Sequence, residues 1–244
     1  MNEAMRDARA ATIAAAAGIG GPAVTLVGIA LVQLSAPPMV GFLLFQLGIL
    51  LGLTALVAGG IGLYATREGA GAGGRTKALI GVGLGVVMIA VVFVSAGPGA
   101  NVPAINDITT NLADPPGFAP APEGHRNVGR DMSYPEDFVA AVEAAYPDLA
   151  PIELAIPRDA AYRRSLDVAK SLGWDITRDN PEHGTFEAED TTKVWRFVDD
   201  ISVRVRTTPT GGATIDIRSK SRDGKGDLGA NANRIRAFAA AVRK

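Results

Sequence analysis

The sequence has no cysteine and only two histidines, His125 and His183. The protein therefore contains no disulfide, no thiolate nucleophile and no cysteine ligand for zinc. The histidines do not stand in the H-E-x-x-H spacing of a zinc site. Neither the G-x-S-x-G motif of hydrolases nor the G-x-x-x-x-G-K-[ST] motif of nucleotide-binding loops occurs. These residues thus predict no catalytic group, no metal and no cofactor.

Charged residues are absent from three long apolar stretches, Ala11–Leu34, Met39–Tyr64 and Ala78–Ala96. A helix needs about 20 apolar residues to cross a bilayer. We therefore predict a transmembrane region over residues 1–97 with three spans. The first is the weakest, because Pro22 interrupts it. Its alternative is a cleaved secretory signal, although the apolar run exceeds the usual length of about 7–15 residues.

Basic residues flank these stretches and predict their orientation. Arg6 and Arg9 precede the first stretch, and Arg67, Arg75 and Lys77 separate the second from the third. Basic residues in short loops stay in the cytoplasm. We expect a multi-pass inner-membrane protein of a bacterial cell, with its N-terminus cytoplasmic and its C-terminal domain periplasmic.

Glycines recur at a G-x-x-x-G spacing within two of the spans, at Gly48/Gly52 and Gly81/Gly85. This spacing permits close contact between membrane helices. The plainer interpretation is that membrane helices are rich in glycine in general.

Residues 98–132 are rich in proline and form either a linker or a strap, as we call this segment, that docks on the domain after it. Its apolar residues can anchor it: Ile105, Ile108, Leu112 and Phe118.

Residues 133–244 carry the patterns of a small α+β domain. Helices are predicted over 133–147, 157–173 and 230–244. Between them the apolar period changes from 3.6 to 2, which predicts strands. The predicted strands have the sequences WDITRD, GTFEAED, DISVRVRT and ATIDIRSKS. Their alternation predicts an antiparallel sheet of about four strands with helices packed on one face.

Cationic residues recur on the last two predicted strands and beyond them. Alternate residues of a strand share a face, guanidinium groups match carboxylates and phosphates, and a helix N-terminus favours anions. The alternative is a solvated charged face, with Asp227 or Asn231 capping the last helix. The predicted anion site comprises Arg204, Arg218, Lys220, Arg222, Lys225, Asn231 and Arg234.

Two adjacent acidic residues, Asp199 and Asp200, invite a catalytic interpretation. Neighbouring residues of a strand point to opposite faces, so these carboxylates do not share a site unless a bulge intervenes. We favour ion pairs with Arg196 or Arg204. The predicted structural charge network comprises Asp199, Asp200, Asp216 and Asp227.

Several strings resemble the DUF1499 family of proteins of unknown function. They are INDITTNLADPP, Tyr146–Pro147, Gly173–Trp174, RFVDDISVRVR and, most specifically, DIRSKSRDGKGDLGANANRIRAF. The resemblance covers about Ala104 to Val242. It implies an envelope setting behind membrane spans or a signal sequence, and no established activity or site.

Together these features predict a membrane-anchored envelope protein with a non-catalytic binding or assembly role. Its expected partners are the lipid bilayer and an anionic small molecule, lipid head group or membrane protein. One alternative is a hydrolase-like enzyme that uses Asp199, Asp200 or Asp227, and another is a structural subunit of a membrane complex. Nucleic acid is not an expected partner, because the net charge is −1 and the basic strands lack aromatic residues for stacking.

Overall fold

The protein is described by a computed structural model over residues 3–67, 72–96, 99 and 101–244, with backbone only for 3–8, 72–73 and 96. The chain divides into two compact units. One holds the N-terminal helices with Lys193–Arg196, and the other holds Gly99–Thr192 and Phe197–Lys244. The predicted boundary between residues 97 and 98 lies outside the described residues.

Three helices build the first unit: α1 (Glu3–Gln33), α2 (Pro38–Ala65) and α3 (Ala72–Ala96). Each contains a stretch long and apolar enough to cross a membrane. The three predicted helices are thus confirmed. Pro22 does not interrupt the first, because α1 continues through it. A proline removes one backbone hydrogen bond, a loss that long membrane helices packed against neighbours tolerate.

The glycine pairs of this unit lie where its helices approach each other. A Cβ on Gly81 would lie 2.5 Å from the carbonyl carbon of Ala14, and one on Gly85 would lie 2.8 Å from the carbonyl oxygen of Gly52. By contrast, a Cβ on Gly83 would meet no atom within 4 Å. These paired glycines therefore permit backbone contact between helices, beyond the general glycine content of membrane segments.

The second unit has the predicted α+β fold and also includes most of the strap, which contributes the first strand. Its elements are β1 (Asp107–Thr109), α4 (Val139–Ala145), β2 (Ile152–Leu154), α5 (Arg158–Ser171), β3 (Asp175–Asn180), β4 (Thr185–Thr191), β5 (Val198–Thr207), β6 (Ala213–Ser221) and α6 (Ala230–Val242). The strands are antiparallel in the order β1-β6-β5-β4-β3, and β2 also pairs with β6. The fold class is confirmed, with six strands instead of about four. The two extra strands, β1 and β2, span three residues each, too few to show an alternating pattern.

One face of the sheet packs against the helices and forms the core. Ile201 and Val203 of β5 and Ile217 of β6 are fully buried there. Phe238 of α6 stacks on Trp174 with ring centroids 5.4 Å apart. Because side chains alternate along a strand, the basic residues of β5 and β6 project from the opposite face.

The strap covers that opposite face. Thr110, just after β1, donates its N–H to the carbonyl of Ile217 at 2.9 Å, and its hydroxyl accepts the N–H of Ile217 at 2.9 Å. Further along, the carbonyl of Gly117 accepts a hydrogen bond from the Ser202 hydroxyl at 2.7 Å. Main-chain groups of the proline-rich segment are therefore satisfied by the sheet.

Candidate functional site

The cations of β5 and β6 lie on the strap-covered face. The strand register places Arg218 opposite Ser202 and Arg204 opposite Asp216. Arg218 is 1% exposed and Asp216 is 0% exposed. Arg218 and Asp216 are therefore not solvated, although Asp216 pairs with neighbouring arginines as the alternative predicts, and Arg206 on this face is 46% exposed.

Arg218 is held by a carboxylate of the first strand. Its Nε and Nη2 donate to the two oxygens of Asp107 at 2.8 and 2.7 Å, and Lys220 Nζ also donates to Asp107 at 2.9 Å. The guanidinium also donates to the main-chain carbonyls of Pro116, Met132 and Ser133. It lies over the rings of Phe118 and Tyr134 as well, 5.0 and 5.3 Å from their centroids. The protein itself thus occupies the donors of this arginine.

A second cluster surrounds Asp216, which is fully buried. Its carboxylate accepts hydrogen bonds from Nη2 of Arg204 at 2.9 Å, Nη2 of Arg206 at 2.7 Å and Nδ2 of Asn111 at 3.2 Å. Burial alone would lower the pKa of Arg204, but hydrogen bonds and charge from Asp216 and Asp114 outweigh it and raise the pKa. Arg204 therefore stays protonated as part of this network.

A third cluster centres on Arg222. Its Nη2 donates to Asp200 at 2.6 Å and also to Glu189, while Asn127 Nδ2 donates to Asp200 at 2.9 Å. His125 Nε2 lies 3.0 Å from Glu189, and the main-chain N–H of Asn127 donates to His125 Nδ1 at 3.2 Å. Arg222 Nη2 also lies 3.3 Å from His125 Nε2, so Arg222, His125, Glu189 and Asp200 form one connected polar network.

Polar residues also cluster on the helix-covered face. Arg234 of α6 pairs with Asp199 at 2.6 Å and with Asp190 at 2.8 Å. Asn231 is fully buried and accepts hydrogen bonds from the Ser219 hydroxyl and from Arg234, each at 2.6 Å. These two predicted anion-site residues thus join α6 to the sheet.

The two adjacent aspartates of β5 lie on opposite faces, as strand alternation predicts, and belong to separate clusters. The predicted partners Arg196 and Arg204 are wrong. Arg234 and Arg222 take those places because they approach from α6 and from the loop after β6, which the sequence pattern does not position.

The turn before α6 holds the remaining two predicted residues. Asp227 accepts the N–H groups of Gly229 and Asn231 at 2.8 Å each, which satisfies donors at the start of the helix. Lys225 is exposed in the turn, and the described part of the chain gives it no ion pair. The predicted anion-site residues therefore do not converge on one pocket.

A cavity of about 180 Å³ lies between the strap and strands β3–β5. The strap supplies an apolar wall with Phe118, Ala121, Pro122 and Met132. Polar groups on the cavity wall include His125, Asn127, Glu187 and Glu189. Asn127 is 7% exposed, and its Oδ1 accepts no hydrogen bond from the described residues. A buried acceptor without a donor costs about 1–3 kcal/mol. Among the described residues that have such an unpaired buried atom, Asn127 is the one that lines the cavity.

The two glutamates of the cavity differ in charge compensation. Burial raises the pKa of Glu187, and the Arg178 guanidinium, whose Nε lies 3.9 Å away, lowers it less. Burial also acts to raise the pKa of Glu189, but hydrogen bonds from His125 and Arg222 outweigh it and lower the pKa. Of the two glutamates, Glu187 is therefore the one whose negative charge is less balanced by nearby cations and hydrogen-bond donors.

Of the cavity residues, sequence reasoning selected Phe118 as an anchor of the strap and Asp200 for the charge network, and did not select Glu187, Glu189, His125 or Asn127. Glu187 alternates with Phe186 and Ala188 on β4, the only signal that it faces away from the helix-covered core. His125 and Asn127 lie in a proline-rich segment without periodicity, so nothing in the sequence aligns them with the sheet.

The family model for proteins of unknown function, DUF1499, matches residues 107–242, more than half of the chain. The matched range contains the three charged clusters, the cavity and all six strands. No curated protein matches the chain. The resemblance seen in the sequence is thereby confirmed, and the chain belongs to the DUF1499 family.

Proposed function

We propose that the protein is a membrane-anchored, non-catalytic binding module whose ligand occupies the cavity between strap and sheet. The observation that carries this proposal is Asn127 Oδ1, a buried acceptor without a donor on the wall of that cavity. Buried polar groups in proteins are almost always hydrogen-bonded, so an unpaired one beside a cavity indicates where a ligand atom binds.

The cavity is favoured over the arginines as the binding site. Arg218, Arg204 and Arg222 each pair with at least one buried carboxylate. An anion would have to displace these carboxylates, which costs the burial of an unpaired charge. Anion binding at these residues stays a prediction, but the pairing does not favour it.

The hydrogen bonds that the three candidate catalytic aspartates already accept favour a non-catalytic role. Asp199 accepts from Arg234, and both oxygens of Asp200 accept from Arg222 or Asn127. The third, Asp227, accepts main-chain N–H groups before α6. A general base needs an oxygen within reach of substrate, which these hydrogen bonds oppose.

The helices supply the proposed setting. Three helices able to span a membrane would keep the domain at the bilayer surface and raise its effective concentration for ligands or partners there. Basic residues beside the spans support a cytoplasmic N-terminus and a periplasmic domain at the bacterial inner membrane.

A ligand-observed NMR screen of small molecules on the full-length protein in detergent tests the binding site. Ala121→Phe fills the cavity from the strap, and Ala113→Phe makes the same change at an exposed strap position. We expect compounds that bind the wild type and Ala113→Phe but not Ala121→Phe. Absence of any compound with this pattern would refute the proposal.

A further inference from the structure

We propose that the cavity selects a small organic cation, with an ammonium or guanidinium group on a short apolar chain. This inference rests on the proposed function of the cavity as a binding site and assigns the chemical class of its ligand. It depends only on the groups of the cavity wall.

The polar wall of the cavity offers acceptors. Asn127 Nδ2 donates to Asp200, which fixes the amide orientation and leaves Oδ1 as an acceptor. Glu187 accepts one strap N–H, from Ala119 at 2.6 Å, through Oε1 alone. A ligand that completes these hydrogen bonds must donate, and an ammonium or guanidinium group donates without accepting.

The charge balance of the wall leaves Glu187 as the least compensated carboxylate. Three carboxylates line the cavity. Of these, Glu189 and Asp200 pair with the buried Arg222, whereas Glu187 has the Arg178 guanidinium at 3.9 Å. The Arg178 side chain is 46% exposed, so solvent screens its charge. A bound cation would compensate Glu187 from inside the cavity, where the interaction is screened less.

The volume and the apolar wall of the cavity limit the size and shape of the cation that it can hold. A volume of about 180 Å³ is below the range of about 300–1,000 Å³ that is usual for pockets of drug-sized ligands. Phe118 and Met132 can cover a short hydrocarbon chain on the strap side. In the described part of the chain, no group of three or more acidic or histidine side chains is placed to hold a metal ion. An organic cation therefore fits these groups better than a bare metal ion does.

Calorimetric titration of the full-length protein with three probes of one size tests the inference. The probes are butylammonium, n-butanol and butyrate, at about pH 8, far above the ordinary range of a glutamate. We expect butylammonium to bind at least about tenfold more tightly than either analogue, the range of a hydrogen bond to a charged group. Glu187→Gln should remove this preference, while Glu182→Gln, on the exposed turn before β4, should keep it.

The outcomes separate the two proposals. If compounds bind the wild type but not Ala121→Phe, and butylammonium binds no more tightly than n-butanol, the cation assignment fails and the binding site stands. If no compound binds in that manner, the proposed function fails with it. Tighter binding of N-acetyl-lysine methylamide than of butylammonium would overturn the assignment to a free cation, because it would point to a lysine of a partner protein.

Discussion

Asp107 and Arg218 form a buried bidentate ion pair, with Nε and Nη2 of the arginine 2.8 and 2.7 Å from the two carboxylate oxygens. The arginine is 1% exposed, and the aspartate lies on the first strand of the domain. The pair therefore joins the strap, which contains β1, to β6, the neighbouring strand of the sheet. Removing Arg218 leaves the fully buried Asp107 with Lys220 alone, and removing Asp107 leaves the buried Arg218 without a carboxylate.

Replacing Arg218 with methionine should destabilise the domain strongly. Breaking a buried ion pair by removing one partner costs about 3–5 kcal/mol, and the contact that Lys220 keeps with Asp107 should offset part of that loss. The matched control is Arg236→Met, because Arg236 and its partner Asp148 are 40% and 52% exposed and such surface pairs contribute at most about 1 kcal/mol. Denaturant unfolding followed by tryptophan fluorescence measures both changes. Equal losses in the free energy of unfolding from the two variants would show that the buried pair stabilises the domain no more than the exposed pair does.

Combining Arg218→Met with Asp107→Asn should recover part of the lost stability. Asp107→Asn removes the negative charge that Arg218→Met leaves buried without its arginine. The free energy of unfolding of the double variant should therefore exceed that of Arg218→Met alone. Additive losses would instead indicate that the two residues stabilise the domain independently.

The fold was predictable where the residue pattern is long. Strand β6 spans the predicted residues Ala213–Ser221, and α6 begins at the predicted Ala230. Both elements show clear periodicity over nine residues or more. The strands β1 and β2 are set instead by pairing with β6, a tertiary contact that three residues do not encode by themselves.

The candidate site was predictable only in part. The basic residues of β5 and β6 do share a face, because strand alternation fixes that relation. Their partners were not predictable, since Asp107 is separated from Arg218 by 111 positions and meets it only through the antiparallel register. The cavity depends on where the strap crosses the sheet, which no local pattern determines.

Glu187→Gln should change how stability depends on pH. Burial raises the pKa of Glu187 above its ordinary value of 4.5, against the opposing effects of the Ala119 N–H, Arg178 and His125, while Asp200 adds to the rise. The folded protein then binds more protons than the unfolded chain between the two pKa values, so this group lowers stability as the pH rises through that interval. A glutamine does not ionise, so the free energy of unfolding of the variant minus that of the wild type should increase with pH and then level off.

Unfolding of both proteins over this pH range gives that difference directly. A difference that falls as the pH rises would mean that the pKa of Glu187 is lowered in the folded state, and would remove the argument for an uncompensated charge.

Gly81→Ala should weaken the helical unit, whereas Gly83→Ala should not. A Cβ at Gly81 would lie 2.5 Å from backbone atoms of Ala14, while one at Gly83 meets nothing within 4 Å. The helices must therefore move apart in the first variant only. Thermal unfolding in detergent followed by circular dichroism compares them, and similar melting temperatures would contradict the contact.

A reporter fused after Lys244 should be active on the outer side of the inner membrane. Basic residues beside the spans predict this orientation for an odd number of crossings. An alkaline phosphatase fusion, which is active outside the cytoplasm, tests it against a cytoplasmic reporter fused at the same position. Activity of the cytoplasmic reporter alone would overturn the proposed localisation.

The most direct test of the cavity uses its methionine. The sequence contains five methionines, and Met132 lines the cavity whereas Met39 and Met88 lie in helices α2 and α3. Methyl-labelled methionine gives one NMR signal per residue, and Met132→Leu assigns the relevant one. Titration with butylammonium should move the Met132 signal saturably, leave those of Met39 and Met88 in place, and have no effect on Met132 in Ala121→Phe. A Met132 signal that stays fixed while butylammonium binds, or that still moves in Ala121→Phe, would contradict a ligand site between strap and sheet.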